Sequence, residues 1–550
     1  MSLDILSEAA ARGPAALSVA EQDVSADGVA DVFWPLPMTE LLATRDRLLE
    51  RLLAWFRARD IDRDRNAELL WLNAWPITME FLRLYSAVVV VARLGPDGIA
   101  PARDDRGATL FDCVSSGAAP GPSQELRNTL RGLVADPLWK KLARQVRALA
   151  GRDALPYRIR PLIDPARDIV TFSATPLIAA RARQSGAPVV LSKIDEWMST
   201  GPLDDAPRTA GASDGAIGEV LDLLAEACAE GGAALPDHIR HHARDQLVRL
   251  TRRCGVHLEE LRRREHRLPR VFWSGSCGIV YNRVMARAVI RAGGRAVGHD
   301  HSTGTGWWRF PLRTVNEFNY VEQFVTTGEA MAEGLRRSNQ PAFRVGPEQG
   351  CEIVPLVAGR PEVADAEVAP LPSRPASLDV MYVFNLYAGD SVQPAPSLAD
   401  PVAVDLQARV IGRLRAQGHR VTLKPHPDSY CDPPAAFFDR LGATRTDKPC
   451  ESVMPDADLL IFDFVGASCL LGALRTDRPI VLIDLPMIEI APEALELLER
   501  RVAILPAGFD REGRVAIDWP AFDAAIERAW SLRDDRFLTT YYPPLPDATS

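Results

Sequence analysis

The sequence lacks several features that mark specialised classes of protein. Its 550 residues include eight cysteines, none in a Cys-x-x-Cys pair, so neither a disulfide framework nor a typical zinc site is expected. The net charge of −9 argues against nucleic-acid binding, because the phosphate backbone favours a basic surface. No apolar run approaches a spanning helix, and no basic segment followed by an apolar core opens the chain. We therefore expect a cytoplasmic protein without a secretory signal.

The length and the order of elements predict two domains of the α/β class. The chain exceeds the size at which single hydrophobic cores stop growing. Short β-rich runs alternate with helical segments on both sides of a proline-rich stretch, which predicts doubly wound parallel sheets covered by helices. The predicted division is a helical N-terminal region (1–160), a first Rossmann-like domain (161–354), a linker (355–377), a second Rossmann-like domain (378–515), and a C-terminal helix and tail (516–550).

Two further segments carry expectations of their own. Residues 237–270 are strongly basic, which suits contact with an anionic membrane or a charged glycan. The favoured alternative is an exposed helix face, with residues such as Leu247 and Leu250 turned inward. Near the carboxyl terminus, the helical run Ala521–Leu532 is expected to cross back onto the first domain.

The tetrapeptide Lys424–Pro427 (Lys-Pro-His-Pro) directly follows a β-rich run, Arg420–Leu423. Each proline fixes its own φ and restricts the residue before it, so the backbone of His426 has little freedom. An imidazole held in this way beside the charge of Lys424 suits hydrogen bonding to a phosphate. The alternative is a surface turn with an exposed histidine, because short motifs have many chance occurrences.

A second candidate for anion binding is the loop that leads into the helical run Ser468–Leu474. The loop follows an apolar strand-like run, Leu459–Phe462. Backbone N–H groups at the start of a helix favour anions. Gly466 permits close approach of the backbone, and Ser468 supplies a hydroxyl donor. The alternative is that Ser468 only caps the helix.

The third candidate is the glycine-rich loop 298–306, in which Asp300 is the only carboxylate. A carboxylate there suits the role of general base towards an acceptor hydroxyl. Neighbouring histidines also suggest a metal cluster, but adjacent residues of an extended chain point to opposite faces, so no metal is expected. Four other side chains are candidate contacts for an acceptor or sugar: His299, His301, Ser302 and Trp307. Trp307 is equally compatible with a place in the hydrophobic core.

KPHP at 424–427 and ADLLIFDFVGAS at 457–468 resemble the carboxyl-terminal half of GT-B glycosyltransferases that use CMP-sugars. That group includes bacterial sialyltransferases, polysialyltransferases and β-Kdo transferases, and the resemblance covers roughly residues 265–490. In that group a His-Pro motif binds the CMP phosphate, and a Ser/Thr motif some forty residues later assists this binding. In this sequence Ser468 lies 42 positions after His426. The group's acidic pair before glycine is replaced here by His299-Asp300-His301, so only Asp300 carries over as the base.

The resemblance implies two Rossmann-like domains facing a central cleft and an inverting, metal-independent glycosyltransferase. The expected partners are a CMP-sugar co-substrate, with a sialic-acid-like or Kdo-like sugar, and a glycan or lipid-linked acceptor in capsule or lipopolysaccharide synthesis. Peripheral contact with the inner membrane is expected, and no further cofactor. The implied catalytic residues are Asp300 and His426, and the implied nucleotide-binding residues are Lys424, His426, Pro427, Gly466 and Ser468.

Two alternatives remain open from the same motifs. They also resemble CDP-glycerol and CDP-ribitol phosphotransferases of the teichoic-acid type, in which His299 or His301 would matter more. The third possibility is a non-catalytic GT-B-like protein that binds a glycan or another partner, because the acidic motif is degenerate.

Overall fold

The computed structural model describes residues 34–95, 110–118, 120–121, 169–187, 189–199, 207–301, 306–309, 312–339, 341–345, 350–358, 374–387, 398–427, 429 and 435–545. Backbone pairing is also described for two short ribbons, Ala15–Ala16 with Ile99–Ala100 and Val24–Ser25 with Gly28–Val29. Ser302, much of the predicted N-terminal region and most of the predicted linker lie outside the described residues.

Helices precede, separate and follow two parallel sheets. In chain order they are α1 (Met38–Arg57), α2 (Arg65–Trp71), α3 (Ala74–Leu94), α4 (Leu110–Ser116), α5 (Pro176–Ser185), α6 (Asp214–Glu230), α7 (Asp237–Arg263), α8 (Val280–Arg291), α9 (Leu312–Asn316), α10 (Glu329–Ser338), α11 (Asp400–Ala416), α12 (Ala435–Arg440), α13 (Cys450–Val453), α14 (Ser468–Leu474), α15 (Pro492–Leu498), α16 (Trp519–Ala529) and α17 (Arg536–Tyr541). No described helix has both the length and the apolar composition needed to cross a membrane.

The first sheet consists of β1 (Ile169–Thr171), β2 (Val189–Leu191), β3 (Val271–Ser274), β4 (Arg295–His299), β5 (Gln323–Gly328) and β6 (Glu352–Val357). Its spatial order is β6-β5-β4-β3-β1-β2, and every neighbouring pair is parallel. Both faces are covered, because successive strand residues point to opposite sides: Phe272 packs in the main core, whereas Trp273 packs under α5.

The second sheet consists of β7 (Asp379–Val383), β8 (Arg420–Lys424), β9 (Thr444–Arg445), β10 (Leu459–Phe462), β11 (Ile480–Asp484) and β12 (Ala503–Pro506). Its order is β9-β8-β7-β10-β11-β12, again parallel throughout. This is the Rossmann order, and its winding reverses between β7 and β10, where such sheets bind ligands. The prediction of an α/β fold with two doubly wound sheets is confirmed.

The N-terminal helices dock on the outer layer of the first sheet. The guanidinium of Arg287 on α8 forms a 2.6 Å ion pair with Glu68 on α2, and Arg283 Nε donates to the Leu72 carbonyl at 2.7 Å. The predicted helical character of this region is confirmed for α1, α2 and α3. The basic segment forms α7 with Leu247 and Leu250 buried, as the exposed-face alternative predicts.

The structure corrects two element predictions. Residues 355–357, assigned to the linker, are the end of β6; Pro355 is tolerated there because β6 is an edge strand. The predicted crossing helix is also misplaced, because α16 packs on β11 and β12 of the second sheet. It is α17 that returns to the first sheet, where the Thr327 hydroxyl donates to the Tyr541 carbonyl at 3.0 Å.

Candidate functional site

The carboxyl ends of the two sheets meet across a cleft. Trp308–Arg309, which follows β4, pairs antiparallel with Glu489–Ile490, which follows β11. The guanidinium of Arg309 lies 2.6 Å from the carboxylate of Glu489. The Ala491 N–H donates to the Trp307 carbonyl at 2.9 Å. This two-stranded ribbon joins the domains and places the loops after both sets of strands opposite each other.

Gly466 lies at the same junction, against an aromatic ring of the first domain. A Cβ at this position would lie 2.8 Å from Cη2 of Trp308 and would overlap the ring of Phe464. The sequence suggested that this glycine allows a phosphate to approach the backbone. In the structure, the absence of a side chain at Gly466 serves packing, because it leaves room for the Trp308 indole.

Trp307 belongs to the interior of this junction. Its side chain is 2% exposed, its indole N–H donates to the Tyr542 hydroxyl at 2.7 Å, and its ring packs edge-on against Phe537 of α17. The core interpretation of Trp307 is therefore favoured, which corrects its place among the candidate sugar contacts.

The Lys-Pro-His-Pro turn lies at the carboxyl end of β8, as its position after a β-rich run indicated. Lys424 is buried, and its ammonium donates to the Pro425 carbonyl at 2.8 Å. His426 is half-buried and Pro427 is exposed. The Ser429 N–H donates to the His426 carbonyl at 3.3 Å, which closes the turn. The lysine ammonium therefore lies inside the turn, and part of the histidine surface is accessible at the carboxyl end of β8.

Ser468 is the first residue of α14, on the other side of β7 from this turn. The N-cap position is occupied by Ala467, and no side chain caps the helix. The interpretation of Ser468 as a helix cap is therefore wrong. Its side chain is exposed, so its hydroxyl is available as a donor at the switch point of the second sheet.

Asp463, which was not among the site residues predicted from the sequence, forms hydrogen bonds with residues of the neighbouring strand β7 and the loop after it. It follows β10 and accepts hydrogen bonds from the Tyr382 hydroxyl at 2.8 Å and from the Asn385 N–H at 3.0 Å. Burial raises the pKa of Asp463 to about 6. Its position directly after an apolar strand was a signal in the sequence.

The raised pKa of Asp463 predicts a pH-dependent stability. A carboxyl group whose pKa is higher in the folded than in the unfolded state contributes stability below the unfolded value, near 4, and loses it as the pH rises through 6. The contribution lost amounts to about 3 kcal/mol, from about 1.4 kcal/mol per pKa unit. Asp463→Asn should remove this component, which urea unfolding of both proteins between pH 4 and 7 would measure.

The matched control is Asp456→Asn, which alters an exposed aspartate that precedes β10, at the amino end of the same strand. Its unfolding profile should follow that of the wild type. If Asp463→Asn also keeps the wild-type fall between pH 4 and 6, the burial of a protonated Asp463 is contradicted.

On the first domain, His299 is a structural residue. It is fully buried; its Nδ1–H donates to the Ser274 carbonyl at 3.2 Å, and its Nε2 accepts from Arg181 at 3.1 Å. Burial, with the charge of Arg181, lowers the pKa of His299 to about 3, which keeps it neutral. Because both nitrogens are used inside the sheet, the predicted sugar contact at His299 is corrected.

Asp300 lies where the first sheet meets the C-terminal tail. It is 6% exposed, and the Thr326 hydroxyl donates to its Oδ2 at 3.3 Å. Tyr542 of the tail is near: burial raises the pKa of Tyr542, and the charge of Asp300 adds to the rise. The predicted base is thus at the centre of the junction, but little of its surface reaches the cleft.

His301 is more accessible than His299 and Asp300. Its side chain is 34% exposed, and its Nδ1 lies 3.9 Å from Oε1 of Glu317. Glu317, directly after α9, is fully buried and accepts from the Ser276 hydroxyl at 3.0 Å and the Cys277 N–H at 2.6 Å. Sequence reasoning missed Glu317, because no motif surrounds it. Among the described residues, no group of three His, Cys, Asp or Glu side chains is placed to hold a metal ion.

Two doubly wound parallel sheets that face each other across a cleft, with a terminal helix crossing back, define a GT-B-like fold. The sequence matches no protein-family model and no curated protein.

Solved structures that match include Anabaena HepE in complex with UDP, at 12% identity over 52% of this chain and 78% of that chain, with a TM-score of 0.29. They also include a UDP-glucosyltransferase from Polygonum tinctorium capable of glucosylating indoxyl, in a complex with 3,4-dichloroaniline. It shares 13% identity over 67% of this chain and 85% of its own, with a TM-score of 0.33.

Proposed function

We propose that this chain is an inverting glycosyltransferase that transfers a sialic-acid-like or Kdo-like sugar from a CMP-sugar to a hydroxyl of a glycan or lipid-linked acceptor. The observation that carries the proposal is the position of two polar loops at the switch point of the second sheet. The turn with His426 and the start of α14 with Ser468 flank β7. The turn of Asp300 and His301 follows β4 of the first sheet, the strand that precedes the ribbon between the two domains.

The donor half of the mechanism concerns the charge that leaves with the nucleotide. When the bond between the anomeric carbon and the phosphate oxygen breaks, negative charge develops on that phosphate. The imidazole of His426 and the exposed hydroxyl of Ser468 are suited to donate hydrogen bonds to it. Lys424 supplies positive charge from beneath the turn, where its ammonium is held by the Pro425 carbonyl. Side-chain donors thus take the stabilising role, and no metal is required for it.

The acceptor half requires a group that removes a proton from the attacking hydroxyl. Asp300 is the base that the sequence resemblance implies, and it lies directly after β4, on the cleft side of the first sheet. The cytidine base and the class of sugar are supported by the resemblance at 424–427 and 457–468 rather than by a contact in the cleft. The expected setting is the synthesis of capsule or lipopolysaccharide at the cytoplasmic side of the inner membrane.

Calorimetric titration of the full chain with CMP, CDP and UDP tests the nucleotide assignment directly. We expect CMP to bind, and we expect CMP to be released from CMP-sialic acid or CMP-Kdo at an EDTA-insensitive rate. Absence of binding by every cytidine nucleotide would exclude the proposal. Release of CMP from CDP-glycerol, but not from CMP-sugars, would instead indicate the polyol-phosphate transferase alternative. Binding of CMP without any turnover would indicate the non-catalytic alternative.

A further inference from the structure

Glu317 is a carboxylate held in one orientation by the loop after β3 and by Arg313 of α9. Its Oε2 accepts the Cys277 N–H, and its Oε1 accepts the Ser276 hydroxyl. The Arg313 guanidinium lies 3.5 Å from the same Oε1. Ser276 is fixed in turn, because its hydroxyl oxygen accepts the Gly278 N–H at 3.0 Å. A fully buried carboxylate with this many partners is an orienting group rather than a solvated surface charge.

His301 lies next to this carboxylate, at the carboxyl end of β4. Its Nδ1 faces Glu317 at 3.9 Å, and about a third of its side chain is exposed. No described residue forms a hydrogen bond with its Nε2. Asp300, the adjacent candidate, is nearly buried and accepts the Thr326 hydroxyl. An acceptor hydroxyl that enters the cleft therefore reaches His301 more readily than Asp300.

We infer that His301, positioned by Glu317, is the group that takes the proton from the acceptor hydroxyl, an inference that rests on the proposed function. The proton moves to Nε2 as the hydroxyl oxygen bonds to the anomeric carbon of the donor sugar. The bond from that carbon to the phosphate oxygen breaks, and its electron pair leaves with CMP. Glu317 accepts the Nδ1–H and offsets the positive charge of the imidazolium. Such a contact is often long without substrate and shortens when the substrate binds.

The test compares four single variants of the full chain: His301→Asn, Glu317→Gln, Asp300→Asn and His241→Asn. The last is the matched control, because His241 is an exposed histidine on α7 whose Nε2 lies 3.7 Å from the Asp245 carboxylate. Each protein is titrated with CMP by calorimetry. CMP release from CMP-sialic acid and CMP-Kdo, with water as the acceptor, is then followed between pH 5 and 9.

We expect His301→Asn to lower kcat at least about 100-fold with unchanged affinity for CMP. Glu317→Gln should lower kcat about 10-fold and move the acidic limb of the pH profile to lower pH, which a purely structural defect does not do. The decrease in kcat should be smaller for Asp300→Asn than for His301→Asn. The kcat of His241→Asn should equal that of the wild type.

Two results would overturn the inference alone, with CMP binding intact. One is a kcat for His301→Asn within threefold of the wild type. The other is a pH profile for Glu317→Gln that coincides with that of the wild type. If the wild-type chain binds no cytidine nucleotide, the proposed function fails, and the assignment of His301 fails with it.

Discussion

His426→Ala is expected to lower kcat about 10³-fold in CMP release from a CMP-sugar, the upper range for removing one donor to developing charge. The proline on each side fixes the backbone of His426, and the closed turn is held by the Ser429 N–H. The backbone that carries the imidazole is therefore preorganised, which lowers the entropy cost of ordering this turn around a ligand. Alanine leaves this turn intact and removes only the donor. The loss should appear mainly in kcat, because charge on the phosphate grows as the bond breaks.

The matched control for this substitution is His266→Ala, which removes an exposed histidine from the helical turn Glu265–Arg267 in the first domain. Its kcat and its affinity for CMP should equal those of the wild type. Ser468→Ala should be intermediate, because it removes a hydroxyl donor whose exposed side chain also forms hydrogen bonds with water. A kcat for His426→Ala within threefold of the wild type would contradict the assigned role of the turn.

The second sheet was largely predictable because its strands are buried on both faces. Leu459–Phe462 and Ser468–Leu474 have the bounds that the apolar pattern predicts. The strands that the pattern missed lie at or next to sheet edges. Thr444–Arg445 is exposed on both residues, and Ala503–Pro506 ends in a proline. Thr444–Arg445 contains no apolar residue, and both strands are too short for a clear periodicity.

The candidate site was predictable only where a local motif marks it. The turn at Lys424 and the helix start at Ser468 could be placed because each follows a recognisable strand. Glu317 is different, because its partner Ser276 is 41 residues away, and nothing local distinguishes it from a surface glutamate. The histidines of the turn after β4 illustrate the same limit. Alternation along a strand predicts that the side chains of His299 and Asp300 point to opposite faces of the sheet. The sequence does not show that the His299 ring is buried, because this depends on its packing against Arg181.

Gly334→Ala is expected to destabilise the chain and abolish turnover, although Gly334 lies in a helix and faces no proposed ligand. A Cβ at Gly334 would overlap the carbonyl oxygen of Gly306. Relief requires α10 or the segment Gly306–Arg309 to move, and that segment carries Trp308 and the ribbon between the domains. The alanine should therefore cost about 3 kcal/mol of unfolding free energy, at the upper end of overpacking effects. It should also displace the Trp308 ring from Gly466, and with it the alignment of the two halves of the cleft.

The matched control is Gly218→Ala in α6, because no atom lies within 4 Å of a Cβ at Gly218. Alanine is the better helix former, so this variant should gain up to about 1 kcal/mol and keep full turnover. Urea unfolding followed by tryptophan fluorescence measures both changes. The opposite signs are the informative result, because helix propensity alone predicts a gain at both glycines. An unfolding midpoint for Gly334→Ala equal to or above that of the wild type would show that the contact between α10 and Gly306 does not hold the domains in register.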